Sequence, residues 1–189
     1  MNTKKEATPS LSSEKWATAA LEAIALKGVA ELSIESLARE LGVTKGSFYW
    51  HFPNRSALIK AAVSLWAQRE TEDVLAQIDH EPNPRLRIEK IVAEAIGNKR
   101  KASLYLALAA ASNDPNVGPI FQHVVERRIT YLADCFEAMG ISVPRYRALV
   151  AFSQYVGIMH TIRDAPNSVP KKPEFEKFIQ ITIETVIPK

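Results

Sequence analysis

Hydrophobic positions along this chain recur three and four residues apart, the period of a helix with one buried face, and the pattern restarts after glycine or proline. Trp16 to Lys27 is the first such segment, and Gly28 closes it. Ser33 then suits an N-cap, with Ile34, Leu37, Ala38 and Leu41 behind it at helical spacing. Gly42 ends that segment, because glycine enters φ > 0 at little cost, and Val43 packs under the turn. Thr44 caps a short second helix that sends Phe48 and Phe52 inward and leaves Lys45, Ser47, Tyr49 and His51 outside. Ala38, four residues before the turn glycine, supplies the small side chain that two steeply crossing helices need.

From Ser56 onward the pattern predicts helix after helix and no strand. Ser56 to about Asp79 reads as one long amphipathic helix through Leu58, Ala62, Leu65, Trp66 and Leu75, broken by Pro82 and Pro84. A helix from Pro84 to Gly97 follows, and then Lys99-Arg100-Lys101 as a solvated loop. Ser103 to Ser112 is apolar nearly all round and belongs in the centre. Helices over 117–139, 144–164 and 174–186 complete the chain, with a Pro- and Lys-rich loop between the last two. The expected fold is all-α: a flexible arm over 1–12, a three-helix helix-turn-helix domain over 13–55, and a larger helical domain over 56–189.

The second helix of the turn motif is short and ends in Tyr49-Trp50-His51-Phe52-Pro53. That ending is too aromatic for a solvated surface, and its outward positions are too polar for a buried one. Hydroxyl and cationic groups (Ser33, Thr44, Lys45, Arg55) gather at and just beyond the two helix starts, where phosphates meet free backbone N–H groups. An ordinary helical hairpin inside an all-α core explains the periodicity but not this placement. The second helix is therefore expected to enter a DNA major groove.

The run LARELGVTKGSFYWHFPNRSAL resembles the DNA-binding domain of the TetR family of bacterial transcriptional regulators. In that family the motif ends in Tyr-x-His-Phe, and a basic residue and a leucine then open a long fourth helix. The resemblance covers about a quarter of the chain, from Trp16 through this motif. It implies phosphate contacts from Ser33, Thr44, Tyr49 and Arg55, bases or nearby phosphates for Lys45, Ser47 and His51, and close approach of the Gly46 backbone to DNA. Trp50 is assigned mainly to packing. Glu35 departs from the pattern: an acid in the first helical turn favours the dipole but repels phosphate, so it is not counted as a contact.

Charge adds little. The chain carries 24 Lys and Arg against 21 Asp and Glu, a net +3, and the first sixty residues hold eight basic against six acidic groups. Bulk charge therefore does not argue for DNA; placement does. Hydrophobic residues make up 47%, enough for a real core. The single Cys135 falls at helical spacing with Leu132 and Met139 and reads as a core residue in a reducing compartment. Met1 to Ser13 lacks an apolar segment of the kind a secretory signal needs, and no apolar run reaches membrane-spanning length, so the expected location is the cytoplasm.

For the larger domain, composition points to an apolar pocket between helices. Trp66, Tyr105, Phe121, Phe152, Tyr155 and Met159 have plausible inward positions, with Gln154, His123 and His160 as polar groups that could orient a ligand. Segments 144–164 and 174–186 are apolar on more than one side, and the first carries Ala148, Ala151, Ser153 and Gly157 for close approach. A helix with two apolar faces needs two partners, and the family implies a second subunit there. Phosphate-binding glycine loops, nucleophile elbows and paired-cysteine spacings are absent, and His51, His80, His123 and His160 are scattered with no i,i+4 partner, which argues against an enzyme, a cofactor or a helical metal site. The expected function is a homodimeric repressor of a palindromic operator on double-stranded DNA, released by a small, largely apolar effector. The other reading is a ligand-independent helical adaptor or architectural DNA-binding protein.

Overall fold

Local caps set the first boundaries. The Ser12 hydroxyl accepts from the Lys15 N–H at 3.3 Å and opens α1 (Ser13–Lys27), which Gly28 closes at φ 84. Ser33 likewise accepts from the Ser36 N–H at 3.3 Å to open α2 (Ile34–Glu40). Gly42 turns the chain at φ 68, and the Val43 N–H reaches back to the Ala38 carbonyl at 2.9 Å. A single helical turn, α3 (Lys45–Phe48), follows, and Asn54 caps α4 (Arg55–Ala67) by accepting from the Ala57 N–H at 2.9 Å. This computed structural model describes residues 11–96, 98–171 and 173–187. Most of the expected arm, residues 1–10, lies outside the described residues; Ser12 and Ser13 belong to the start of α1.

The predicted inward pair holds the small helices together. Trp16 and Phe48 are fully buried and meet edge to face at 5.4 Å, and Phe52 stacks on Phe48 at 5.7 Å. Contacts of this kind are worth about 1 kcal/mol beyond the area they bury. Leu37 and Ala38 complete this core.

The long helix runs from Arg55 to Ile78, but not as one regular helix. Gln68–Glu72 is a π-helical stretch between α4 and α5 (Asp73–Ile78). After α6 (Pro84–Ala95), α7 spans Lys99–Ala110 and so starts four residues before the expected Ser103. Asn98 is the reason. Its side chain accepts from the Lys101 N–H at 3.1 Å, so the basic triad becomes the first helical turn instead of a loop. Cations at a helix N-terminus oppose the dipole, and acidic partners described below offset that cost.

Helices α8 (Gly118–Ala138), α9 (Pro144–Asp164) and α10 (Glu174–Val186) match the expected segments within a residue or two. Gly118 is required by a close approach, since a Cβ there would lie 2.2 Å from the Ser112 carbonyl oxygen. Helix α9 packs on α7 and α8, α10 covers α6 and α9, and α1 packs on both α4 and α7. The buried apolar residues form one continuous cluster from Trp16 to Ile187. Among the described residues there is no strand, so the all-α class holds.

Candidate nucleic-acid interface and interior cavity

The turn motif offers one exposed, polar and aromatic surface. Thr44, Lys45 and Gly46 are exposed at the start of α3, and the Thr44 hydroxyl makes no capping bond. The half-buried Ser47 donates its hydroxyl to the Thr44 carbonyl at 2.8 Å and keeps its lone pairs free. Gly46 answers to no neighbour in this chain: a Cβ would meet only the Thr44 hydroxyl at 3.8 Å. Tyr49 is 55% exposed, His51 is half-buried, and the Ser33 hydroxyl is committed to capping α2.

Three residues depart from expectation. Trp50 is 88% exposed, so it is not a packing residue, and it is more open than the neighbouring Tyr49. Lys45 is not free, because its Nζ bonds Glu35 Oε1 at 2.5 Å, which raises the lysine pKa and lowers that of the glutamate. Arg55 faces inward rather than toward a phosphate. Its Nε donates to the Leu32 carbonyl at 2.8 Å, and its Nη2 donates to the carbonyls of Val29 and, at 3.0 Å, Ala30. The α1–α2 loop presents three carbonyls without helical partners, and the guanidinium fork satisfies them.

Four of the six aromatics and aliphatics picked from sequence line an interior cavity of about 110 Å³: Trp66, Tyr105, Phe152 and Tyr155. Phe121 stands behind them, stacked on Trp66 at 6.0 Å and touching Tyr105 at 5.3 Å. Met159 is fully buried and is a core residue rather than a cavity wall. Of the polar trio, Gln154 lines the cavity, whereas His123 and His160 are exposed, His160 against Asp164 at 3.3 Å. Burial pushes the Tyr105 phenol up to about 12 and raises Tyr155 as well, so both remain protonated donors at neutral pH.

The sequence reading missed the ionic groups of this cavity. Arg128 reaches in from α8, with Nε on Thr71 Oγ1 at 2.9 Å, Nη2 on the Glu70 carbonyl at 2.8 Å, and Nη1 at 3.4 Å from the Tyr155 hydroxyl. Its guanidinium lies 5.4 Å over the Trp66 ring. Lys101 bonds Glu94 at 2.6 Å and Glu70 at 3.2 Å. A signal was present: Arg128 falls on the stripe of Phe121, Val124 and Leu132, where a charge on a buried face asks for an explanation.

Two further ion pairs join α1 to the helices around the cavity. Arg100 grips Glu22 with two nitrogens, Nε at 2.8 Å and Nη2 at 2.5 Å. Arg69, within the π-helical stretch, bonds Glu14 at 2.5 Å and Thr18 at 3.3 Å. Cys135 is 3% exposed and burial pushes its thiol up to about 11, which keeps it protonated and inert. Among the described residues no helix is long and apolar enough to cross a membrane, and no cluster of three His, Cys, Asp or Glu could hold a metal.

An exposed helix-turn-helix on an all-helical body with an interior cavity defines a class of DNA-binding regulator. Residues 18–62 match the profile of the bacterial regulatory proteins of the tetR family. The chain is 24% identical to the HTH-type transcriptional regulator TtgR of Pseudomonas putida, over 88% of this chain and 87% of that one. It is 30% identical to a probable acrEF/envCD operon repressor of Escherichia coli, over 39% of this chain and 34% of the repressor. The fold is shared with a TetR transcriptional regulator from Legionella pneumophila at a TM-score of 0.78, with 18% identity and 100% of both chains covered. Residues 18–62 thus carry the DNA-binding domain of the tetR-family bacterial regulatory proteins, and the chain as a whole shares the fold of such regulators.

Proposed function

We propose that this regulator is a homodimeric repressor that binds a palindromic operator and is released by a small, largely apolar effector held in the cavity. The working division is a DNA-reading part over 13–55 and an effector-binding and dimerising part over 56–189. Thr44, Lys45, Gly46, Ser47, Tyr49 and His51 form the DNA contact set, with Ser33 contributing a phosphate contact at the start of α2, and Trp50 joins them on the strength of its exposure. Arg55 leaves the set, because its Nε and Nη2 are held by carbonyls of the chain itself.

The observation that carries this reading is the π-helical stretch. Within five residues it sends Arg69 outward to Glu14 and Thr18 on α1, and presents Glu70 and Thr71 to Arg128 in the cavity. A change of cavity contents therefore reaches α1 through one short element. The dimer reading rests on α9 and α10. Tyr146, Val150 and Ile181 are 69%, 67% and 61% exposed there, and a Cβ at Gly157 meets nothing within 4 Å. Two subunits joined through this face would space their α3 helices for successive major grooves, and effector would shift the population toward a mis-spaced dimer.

Retardation of the protein's own promoter fragment is the direct test. A dimer must bind, and a compound that fills the cavity must release it with the same coupling factor by which DNA weakens compound binding. Retardation that no cavity-binding compound alters would favour the ligand-independent adaptor instead.

A further inference from the structure

The aromatic walls of the cavity fit many apolar molecules, but its charges are not neutral in effect. Three ionic groups sit well inside: Lys101 and Glu70, with side chains 23% and 21% exposed and 3.2 Å apart, and the half-buried Arg128. Glu94, the fourth, has a side chain 56% exposed and stands at the solvent edge, where water screens it. Lys101 and Glu70 offset each other. Arg128 is left as an interior cation with no carboxylate within 4.0 Å among the described residues.

Its present partners are a hydroxyl, a backbone carbonyl, a distant phenol and a ring face, all uncharged. A guanidinium in a low-dielectric site gains most from an anion that it can bind with two parallel N–H bonds. The longest bond of the set, Nη1 to the Tyr155 hydroxyl at 3.4 Å, joins two residues that both line the cavity. Arg128 also covers the Trp66 face, the position a ligand cation would need for a cation–π contact.

We propose that the effector is an amphiphilic anion: an aromatic or aliphatic body lying against Tyr105, Phe152 and Tyr155, with a carboxylate on Arg128 and the Tyr155 hydroxyl. This inference rests on the cavity being the effector site and names the ligand's charge. It also supplies the trigger. A carboxylate competes with the Glu70 carbonyl and Thr71 for the same guanidinium, so binding loosens the π-helical stretch that holds α1 through Arg69.

The test uses three probes of one shape on the full chain: 3-phenylpropionate, its neutral amide, and 3-phenylpropylammonium, titrated by calorimetry. The carboxylate should bind at least about tenfold tighter than the amide, with the ammonium weakest. Arg128→Gln should bring the carboxylate-to-amide ratio near one, and Arg128→Lys should keep part of it. Equal affinity of the wild type for carboxylate and amide overturns the anion, makes Arg128 a brace only, and leaves the cavity reading standing. Tightest binding by the ammonium also overturns it. No binding of any probe removes the cavity reading and this inference together. The wild-type comparison decides the matter even if Arg128→Gln fails to fold.

Discussion

At the scale of single residues, function turns on which donors the chain has already used. Lys45 is held by Glu35, an exposed acid close to the proposed DNA contact set. Phosphate must compete with that acid for the ammonium, and the acid itself repels phosphate. Glu35→Gln should therefore tighten binding to operator and random DNA alike, by a few-fold at low salt, and the gain should shrink as salt rises. Fluorescence anisotropy at two salt concentrations would check this, and unchanged affinity would mean that Lys45 does not meet DNA. Arg55 supports the opposite expectation. Arg55→Ala removes the guanidinium from the carbonyls of Val29, Ala30 and Leu32, of which Val29 keeps the Leu32 N–H, and should cost roughly 2 kcal/mol of stability. Below the melting range, its slope of log affinity against log salt should stay unchanged. A slope shallower by one contact would return Arg55 to the phosphate set. Trp50→Ala should weaken DNA binding without changing the melting temperature, because its ring is 88% exposed in the free protein.

At the scale of elements, α1 is the part that both ends of the molecule hold. Its inner face packs on Phe48 through Trp16, and its outer side takes Arg69 and Arg100. The Arg100 guanidinium beside Glu22 holds that carboxyl below its ordinary range. A depressed carboxylate adds stability that is present above its unfolded pKa and is lost as pH falls through the folded value. Glu22→Gln should thus cost no more than about 0.5 kcal/mol at pH 7, since both side chains are over two-fifths exposed. The cost should fade below about pH 4, near and under the ordinary carboxylate value. Denaturant melts of both proteins at pH 7 and pH 3.5 would show it. A difference that persists in acid would mean Glu22 acts through packing rather than charge.

At the scale of the whole molecule, the proposed dimer rests on the exposed apolar residues of α9 and α10. A Cβ at Gly157 meets open space, so Gly157→Asp should leave the single chain folded. In the proposed dimer the same aspartate would be buried without a partner. The variant should sediment as a monomer with an intact helical spectrum, and should lose operator affinity by well over tenfold, since half-sites no longer bind together. A dimeric variant with normal operator binding would place the interface elsewhere.

Residues 33–52 disclosed the helix-turn-helix because its determinants are local. Ser33 caps within three residues, Gly42 supplies its own positive φ, and Phe48 and Phe52 recur at one helical period. The starts and ends of α8, α9 and α10 were legible for the same reason, as was the aromatic set that the structure gathers around Tyr105. What tertiary structure alone decided is the employment of the charged groups. Arg55 binds a carbonyl 23 residues away, Arg128 a hydroxyl 57 away, and Arg100 a carboxylate 78 away. Hydrophobic periodicity reports which face of a helix is buried, because burial follows from the helix's own repeat. It carries no information about which distant group comes to lie opposite a charge. An arginine therefore looks the same in sequence whether it clamps a loop, grips a neighbouring helix or waits in a cavity, and only the packing of remote segments tells these apart.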